Sequence, residues 1–294
     1  MFDLRYHVAS LTAVFVALVI GILVGVGLSG KGFVNDAERA NLNREIEDMR
    51  QQRDGAQASL EAAGHGEVAL KDFADTAYPA VVPGRLEGQK VAVLFIGPID
   101  RTVSFAIGKA VRDAGGTVVR TRSISVPLDP EAVQKALRRL PAFRQLAGTD
   151  RLDALGTALA DELANGGRAP LWDALGELLV QEREGSATPP VDALVVVRTA
   201  EPQQGATKAF LSGIYSGLAR SGVPAVGTEA TGTAPSAVPA FALAGLSTVD
   251  SVDTAAGRLG LVLLLGGAEP GSYGVGKNAT DGVLPAIPPA PSPG

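Results

Sequence analysis

The sequence predicts an α/β protein built from an N-terminal transmembrane helix, a coiled-coil stalk and a doubly wound domain with a parallel sheet. Three observations carry this expectation. An uncharged apolar stretch opens the chain, a polar and proline-free stretch with heptad spacing follows it, and beyond residue 88 short apolar runs alternate with helical patterns.

The anchor comes first, over residues 1–30. Residues 8–28 read VASLTAVFVALVIGILVGVGL, without a charge and with only Ser10 and Thr12 polar. As a helix this run is about 30 Å long, the thickness of a hydrocarbon core. A cleaved signal peptide would carry a shorter apolar run and a small-residue cleavage site, so an uncleaved anchor held in lipid through residues 8–28 is expected. Gly21 and Gly25 have the small-xxx-small spacing that lets two membrane helices approach closely. Arg5 precedes the span while Lys31, Arg39 and Arg44 follow it, so the basic residues leave its orientation open.

The stalk is expected over residues 31–64. Leu42, Ile46, Met49, Ala56, Leu60 and Ala63 follow alternating steps of four and three, with Arg53 in the missing place. This is a heptad seam, and a parallel dimer on a membrane anchor is its simplest use. A homo-oligomer through Gly21, Gly25 and the stalk follows, the alternative being one amphipathic helix packed on the globular domain. Gly64, Gly66, Pro79, Pro83, Gly84 and Gly88 mark residues 65–88 as a connector, with a short helix near 67–77 and His65 in a solvated loop.

The α/β domain is expected over residues 89–285. Residues 90–97 (KVAVLFIG) form a continuous apolar run ending in glycine, as a buried parallel strand should. A helix over 101–114 stops at Gly115-Gly116, and residues 117–125 supply a second strand, completing a βαβ unit. Asp129-Pro130 opens a region, residues 130–183, that reads as almost wholly helical. Strands follow at 191–199, 223–229 and 242–249, with helices at 203–221 and 253–266. The alternation is that of a Rossmann-like domain. Residues 286–294 form a proline-rich tail expected to be disordered.

Composition limits the chemistry. The 26 basic and 31 acidic residues give a net charge of −5, which argues against a nucleic-acid partner. The absence of cysteine excludes disulfides, thiolate metal sites and cysteine nucleophiles, and is compatible with export. With two histidines, His7 and His65, and two methionines, Met1 and Met49, no dedicated soft-metal site is expected.

The turn after the first domain strand, Gly97-Pro98-Ile99-Asp100, lacks the glycine pattern of a dinucleotide site, and neither a P-loop nor a nucleophile elbow occurs. Neither histidine lies in the α/β region, so no Ser-His-Asp triad forms there. The carboxylates Asp100, Asp192, Glu201, Glu229, Asp250 and Asp253 fall at or near strand ends. Asp100 stands where such sheets hold ligands, though capping the next helix is the ordinary use of that position. Gly274 and Gly276, beside Tyr273 and Lys277, have the makings of an anion-holding nest; the alternative is a tight loop fastening the C-terminal segment to the sheet. Asp100, Tyr273, Gly274, Gly276 and Lys277 are therefore the candidate ligand crevice, with no catalytic or metal residue assigned.

Two terminal blocks carry a family resemblance. STVDSVDTAAGRL at 247–259, with GSYGVGKNATDGVLP at 271–285, and RYHVASLTAVFVALVIGILVGVGL at 5–28 resemble the MctB family, mycobacterial copper transport proteins assigned to the outer membrane. The likeness covers nearly the whole chain and is thin between about 126 and 190. It implies copper efflux or homeostasis at the cell envelope, no enzyme activity, no cofactor, and copper as a transported ion. The resemblance places the protein in the outer membrane, whereas the residues themselves fit an inner-membrane anchor with an exported domain. Two other uses stay open on the residues alone. One is an anchored scaffold or ligand-binding protein without direct copper binding. The other is a hydrolase or transferase working around Asp100 and residues 272–282.

Overall fold

A computed structural model describes residues 4–29, 36–186 and 189–289. The chain divides into two compact units, Met1–Gly66 and Glu67–Gly294. The start of the expected stalk at 31–35 and the tail residues 290–294 lie outside the described residues. Within the described part of that tail, the carbonyl of Pro288 accepts a hydrogen bond from Arg85 Nη2 at 3.0 Å.

In the first unit, α1 (Leu4–Ser29) contains one stretch, Tyr6–Gly27, long and apolar enough to cross a membrane. Its described side chains are exposed on every side, as suits a helix whose solvent is lipid. The second helix, α2 (Asp36–Val81), corrects the sequence reading: it runs unbroken through Gly64, Gly66 and Pro79, where a connector was expected. A helical glycine costs only about 1 kcal/mol relative to alanine, and helix formers flank this pair. Pro79 falls in the last turn, where it removes a single intrahelical bond.

The second unit begins with the end of α2. Ala74, Tyr78 and Val82 recur every four residues and are buried against one face of the sheet. The Tyr78 hydroxyl donates to Asp113 Oδ2 at 3.0 Å, and Lys109 Nζ donates to the same oxygen at 2.7 Å. The Arg258 guanidinium stands 5.4 Å from the Tyr78 ring centroid, a cation–π distance. Burial, followed by the bond to Asp113, pushes the Tyr78 phenol above its ordinary range, so it stays a donor at neutral pH.

Seven strands make one sheet: β1 (Lys90–Ile96), β2 (Thr117–Ile124), β3 (Val180–Gly185), β4 (Ala193–Arg198), β5 (Ala225–Thr228), β6 (Ser247–Val249) and β7 (Ser272–Tyr273). Their order is β3-β2-β1-β4-β5-β6-β7, parallel throughout except for the antiparallel edge strand β3. Side chains of β1 alternate strictly. Ala92, Leu94 and Ile96 enter one core, while Val91, Val93 and Phe95 enter the other. The second core is closed by α2, α3 (Arg101–Asp113) and α10 (Ala255–Leu265). The first is closed mainly by α4 (Pro130–Arg138), α5 (Leu152–Asn165), α6 (Pro170–Ala174), α7 (Gly176–Leu179), α8 (Gly205–Ala219) and α9 (Val238–Leu243).

Two further expectations need correction. Residues 130–183 are not continuously helical: 3₁₀ turns at Pro141–Leu146 and Thr149–Arg151 interrupt them, and residues from Val180 form β3 instead. The open edge of β2 supplies a ladder from Arg120↔Gly185 to Ile124↔Val180, and this pairing overrides local helix propensity. The strand expected at 242–249 shortens to β6, because α9 occupies its beginning.

The α5–α8 contact is the tightest helix packing in the molecule's first core. A Cβ at Gly213 would lie 2.0 Å from the Asp153 carbonyl oxygen, and one at Gly156 would lie 2.2 Å from that of Phe210. Glycine is therefore required at both positions for the backbones to touch. Gly213→Ala should cost about 1–3 kcal/mol by overpacking. Exposed Ser212→Ala, one residue earlier on the same helix, should stay within about 0.5 kcal/mol. Trp172, the only tryptophan, is buried in this core, so its fluorescence during urea unfolding reads both changes.

Candidate functional site

The strand order reverses between β1 and β4. From β1 the chain crosses over to β2 on one side, while β4, β5 and β6 step away on the other. Loops leaving the carboxyl ends of β1 and β4 therefore diverge, and a crevice opens between them. Here it has a volume of ≈ 180 Å³, and its polar lining comes from Asp100, Arg198, Thr199, Glu201, Glu229 and Thr233.

The walls are tied together by backbone bonds. The Thr199 and Ala200 amides both donate to the Ile96 carbonyl at 3.0 Å. Thr199 Oγ1 donates to the Pro98 carbonyl at 2.7 Å, and Ser123 Oγ donates to that of Gly97 at 2.7 Å. Gly97 has φ +105°, and a Cβ there would stand 2.8 Å from both the Ala200 nitrogen and Thr199 Oγ1. Glycine thus permits the close approach of the two loops that frames the crevice floor.

The charged groups are unequally committed. Asp100 is exposed at the mouth, and its Oδ1 accepts from the Val103 amide at 3.0 Å as the N-cap of α3. Glu229 is only 6% exposed, and its two oxygens accept from Ser236 Oγ at 2.7 Å and from the Ala237 amide at 2.6 Å. Glu201 is exposed. Arg198 Nη2 donates to the Pro235 carbonyl at 2.7 Å, while its Nε is buried without a hydrogen-bond partner. Three carboxylates face one guanidinium, a poor cradle for a phosphate and a better one for a ligand carrying hydroxyl or amino donors.

Of the five residues the sequence groups as a candidate ligand crevice, only Asp100 lines this one, together with Glu201 and Glu229 from the carboxylates the sequence also names. Tyr273 lies on β7, three strands beyond β4 in the sheet order. The loop carrying Gly274 and Gly276 is fastened to the sheet, as in the alternative the sequence offers: the Gly274 amide donates to the Gly282 carbonyl at 3.0 Å, and the chain's own Asp250, just after β6, fills the turn. The Val275 amide donates to Asp250 Oδ1 at 2.9 Å, and the Gly276 amide donates to Oδ2 at 2.7 Å. A Cβ on Gly274, where φ is +137°, would lie 2.0 Å from Oδ1. Lys277 is exposed beside this turn. The other named carboxylates also serve the backbone: Asp192 accepts from the Lys90 amide at 2.8 Å, and Asp253 from the Thr231 amide at 2.7 Å.

Sequence reasoning missed Arg198, Thr199 and Thr233. A strand-final arginine was visible, but its role depends on a carbonyl 37 residues away. Among the described residues, no group of three or more His, Cys, Asp or Glu is placed to hold a metal ion. His7 lies in α1 and His65 in α2.

The turn held by Asp250 yields a direct test. Asp250→Ala removes a charged acceptor from two amides and should cost about 2–3 kcal/mol. Gly274→Ala adds backbone strain and a clash of about 1–3 kcal/mol. Together the two should be less than additive, because the first substitution removes the atom that the second strikes. Denaturation midpoints of the two single variants and the double variant measure this coupling.

Comparison with known proteins gives a consistent result. The profile described as "Copper transport outer membrane protein, MctB" matches residues 1–284. The copper transporter MctB of Mycobacterium leprae is 30% identical over 325 residues, spanning 97% of this chain and 100% of that protein. The copper transporter MctB of Mycobacterium tuberculosis is 27% identical over 314 residues, spanning 95% of this chain and 98% of that protein.

Proposed function

The chain belongs to the MctB family, and we propose that it serves copper transport or copper homeostasis at the cell envelope. It does so as a membrane-anchored, non-enzymatic protein acting as an oligomer. The observation that carries this reading is the extent of the likeness: the family profile runs from the anchor to beyond the last strand, over residues 1–284.

The anchor is the Tyr6–Gly27 stretch, and the first part of α2 is the coiled-coil stalk. Gly21 and Gly25, with no other described residue within 4 Å of where a Cβ would stand, supply a face on which two anchors can meet. One apolar helix followed by an α/β domain supports an inner-membrane anchor with an exported domain, while the family description favours the outer membrane. The chain's own donors are mostly carboxylates and carbonyls, harder than copper prefers, so cargo handling falls to the assembly.

A second reading is favoured by the crevice. A Rossmann-like, doubly wound domain holds its ligands where the strand order reverses, and Asp100, Arg198, Glu201 and Glu229 line that place. On this reading the protein is an anchored envelope scaffold or ligand-binding protein that does not touch copper.

A deletion strain separates the two. On the copper reading, cells lacking the protein accumulate copper and become copper-sensitive, and full-length protein restores them while a version lacking residues 1–30 does not. Unchanged copper content and tolerance would remove the copper reading and leave the ligand-binding one.

A further inference from the structure

Within the first unit, α2 carries apolar side chains that the described residues of that unit leave exposed. Leu42, Ile46, Met49 and Leu60 are 50%, 46%, 60% and 70% exposed. Their spacing places Ile46, Arg53 and Leu60 at a positions of a heptad, and Leu42, Met49, Ala56 and Ala63 at d positions. We infer that two copies of this chain pair along residues 42–63 as a parallel, in-register, two-stranded coiled coil. Glu45 of each copy faces Arg50 of the other. This deepens the oligomer in the function proposed above by naming its surface, direction and register.

Charge complementarity selects the occupant. Glu45 falls at g and Arg50 at the following e position, the pair that meets across a parallel dimer in register. Antiparallel pairing sets g against g and e against e, which parts Glu45 from Arg50. Within one chain Arg50 has only a loose approach to Glu47, at 3.6 Å, with the two side chains 64% and 61% exposed. It is therefore available to a carboxylate of the second copy.

Arg53 looks unsuited to the seam, yet its charge is balanced locally. Its Nε and Nη2 both donate to Asp54 Oδ1, at 2.9 and 2.7 Å. Such an exposed pair adds little stability, but it lowers the repulsion between two arginines brought together at an a position. A single polar a residue costs stability and fixes register and strand number, the role Arg53 takes here. The anchor agrees with the parallel sense. Only residues 30–35 separate α1 from α2, so two copies in one bilayer start their stalks at the same membrane face.

The chain has no cysteine, so single introduced cysteines report their own neighbours. Full-length Leu42→Cys, Met49→Cys and Leu60→Cys proteins, in membranes under mild oxidation, should each form disulfide-linked dimers. Gln51→Cys, at the outward f position, should not. Glu45→Lys should reduce the Met49→Cys dimer severalfold, and adding Arg50→Glu should restore it. The inference is overturned if no seam position cross-links, if only one of the three does, as in an antiparallel pair, or if Gln51→Cys links equally well. It is also overturned if the charge reversal has no effect or is not restored. The same variants in the deletion strain keep the two proposals apart: rescue of copper tolerance without cross-links removes the dimer alone, and cross-links without rescue remove the copper reading alone.

Discussion

Double-sided burial of the interior strand β1 is the constraint from which the α/β unit follows. Every residue from Val91 to Ile96 is at most 3% exposed, so both faces of β1 need cover. A parallel neighbour can be reached only by a crossover, and covering both faces requires crossovers on both sides. The chain meets this by going first to β2 through α3 and later to β4 and β5 through helices of the other layer. Reversal of the strand order, and the crevice at the reversal, are consequences of that solution. The last turns of α2 and the residue after it belong to it as well, since Ala74, Tyr78 and Val82 fill part of the face shared by α3 and α10.

At the edges of the sheet the same economy governs polar groups. Strand ends expose amides that need acceptors, and carboxylates supply them: Asp100 for α3, Glu229 for the start of α9, Asp250 for the turn after β7, Asp192 for β1. Charge-assisted bonds to backbone amides are among the stronger contributions a side chain makes. Residues that a sequence presents as candidate ligands are thus largely engaged in holding the fold. Groups with capacity to spare are Glu201, the second oxygen of Asp100 and Arg198 Nε, all at the crevice.

Legibility from the sequence tracked how local each cause is. The elements β1, β4, α3, α8 and α10 were readable because continuous apolar runs and helix stops lie within them. The edge strand β3 was not, since its residues favour a helix and only the ladder to β2 makes them a strand. Two-residue β7 exists only through its pairing with β6. The break expected at Gly64 to Gly66 failed because two glycines cost a long helix little. At the site, Asp100 could be placed by its position after an apolar strand. The glycine-rich loop at Gly274 and Gly276 was legible as a tight turn, but the carboxylate that fastens it lies 25 residues earlier in the chain.

Native-state hydrogen exchange of the full-length protein tests most directly whether both faces of the sheet are closed as one unit. Amides of residues 74–82, 91–96, 194–197 and 259–265 should exchange together, and only through global unfolding. Rapid exchange of 74–82 while 91–96 stays protected would contradict the account, because the end of α2 would then be no part of the core that β1 requires.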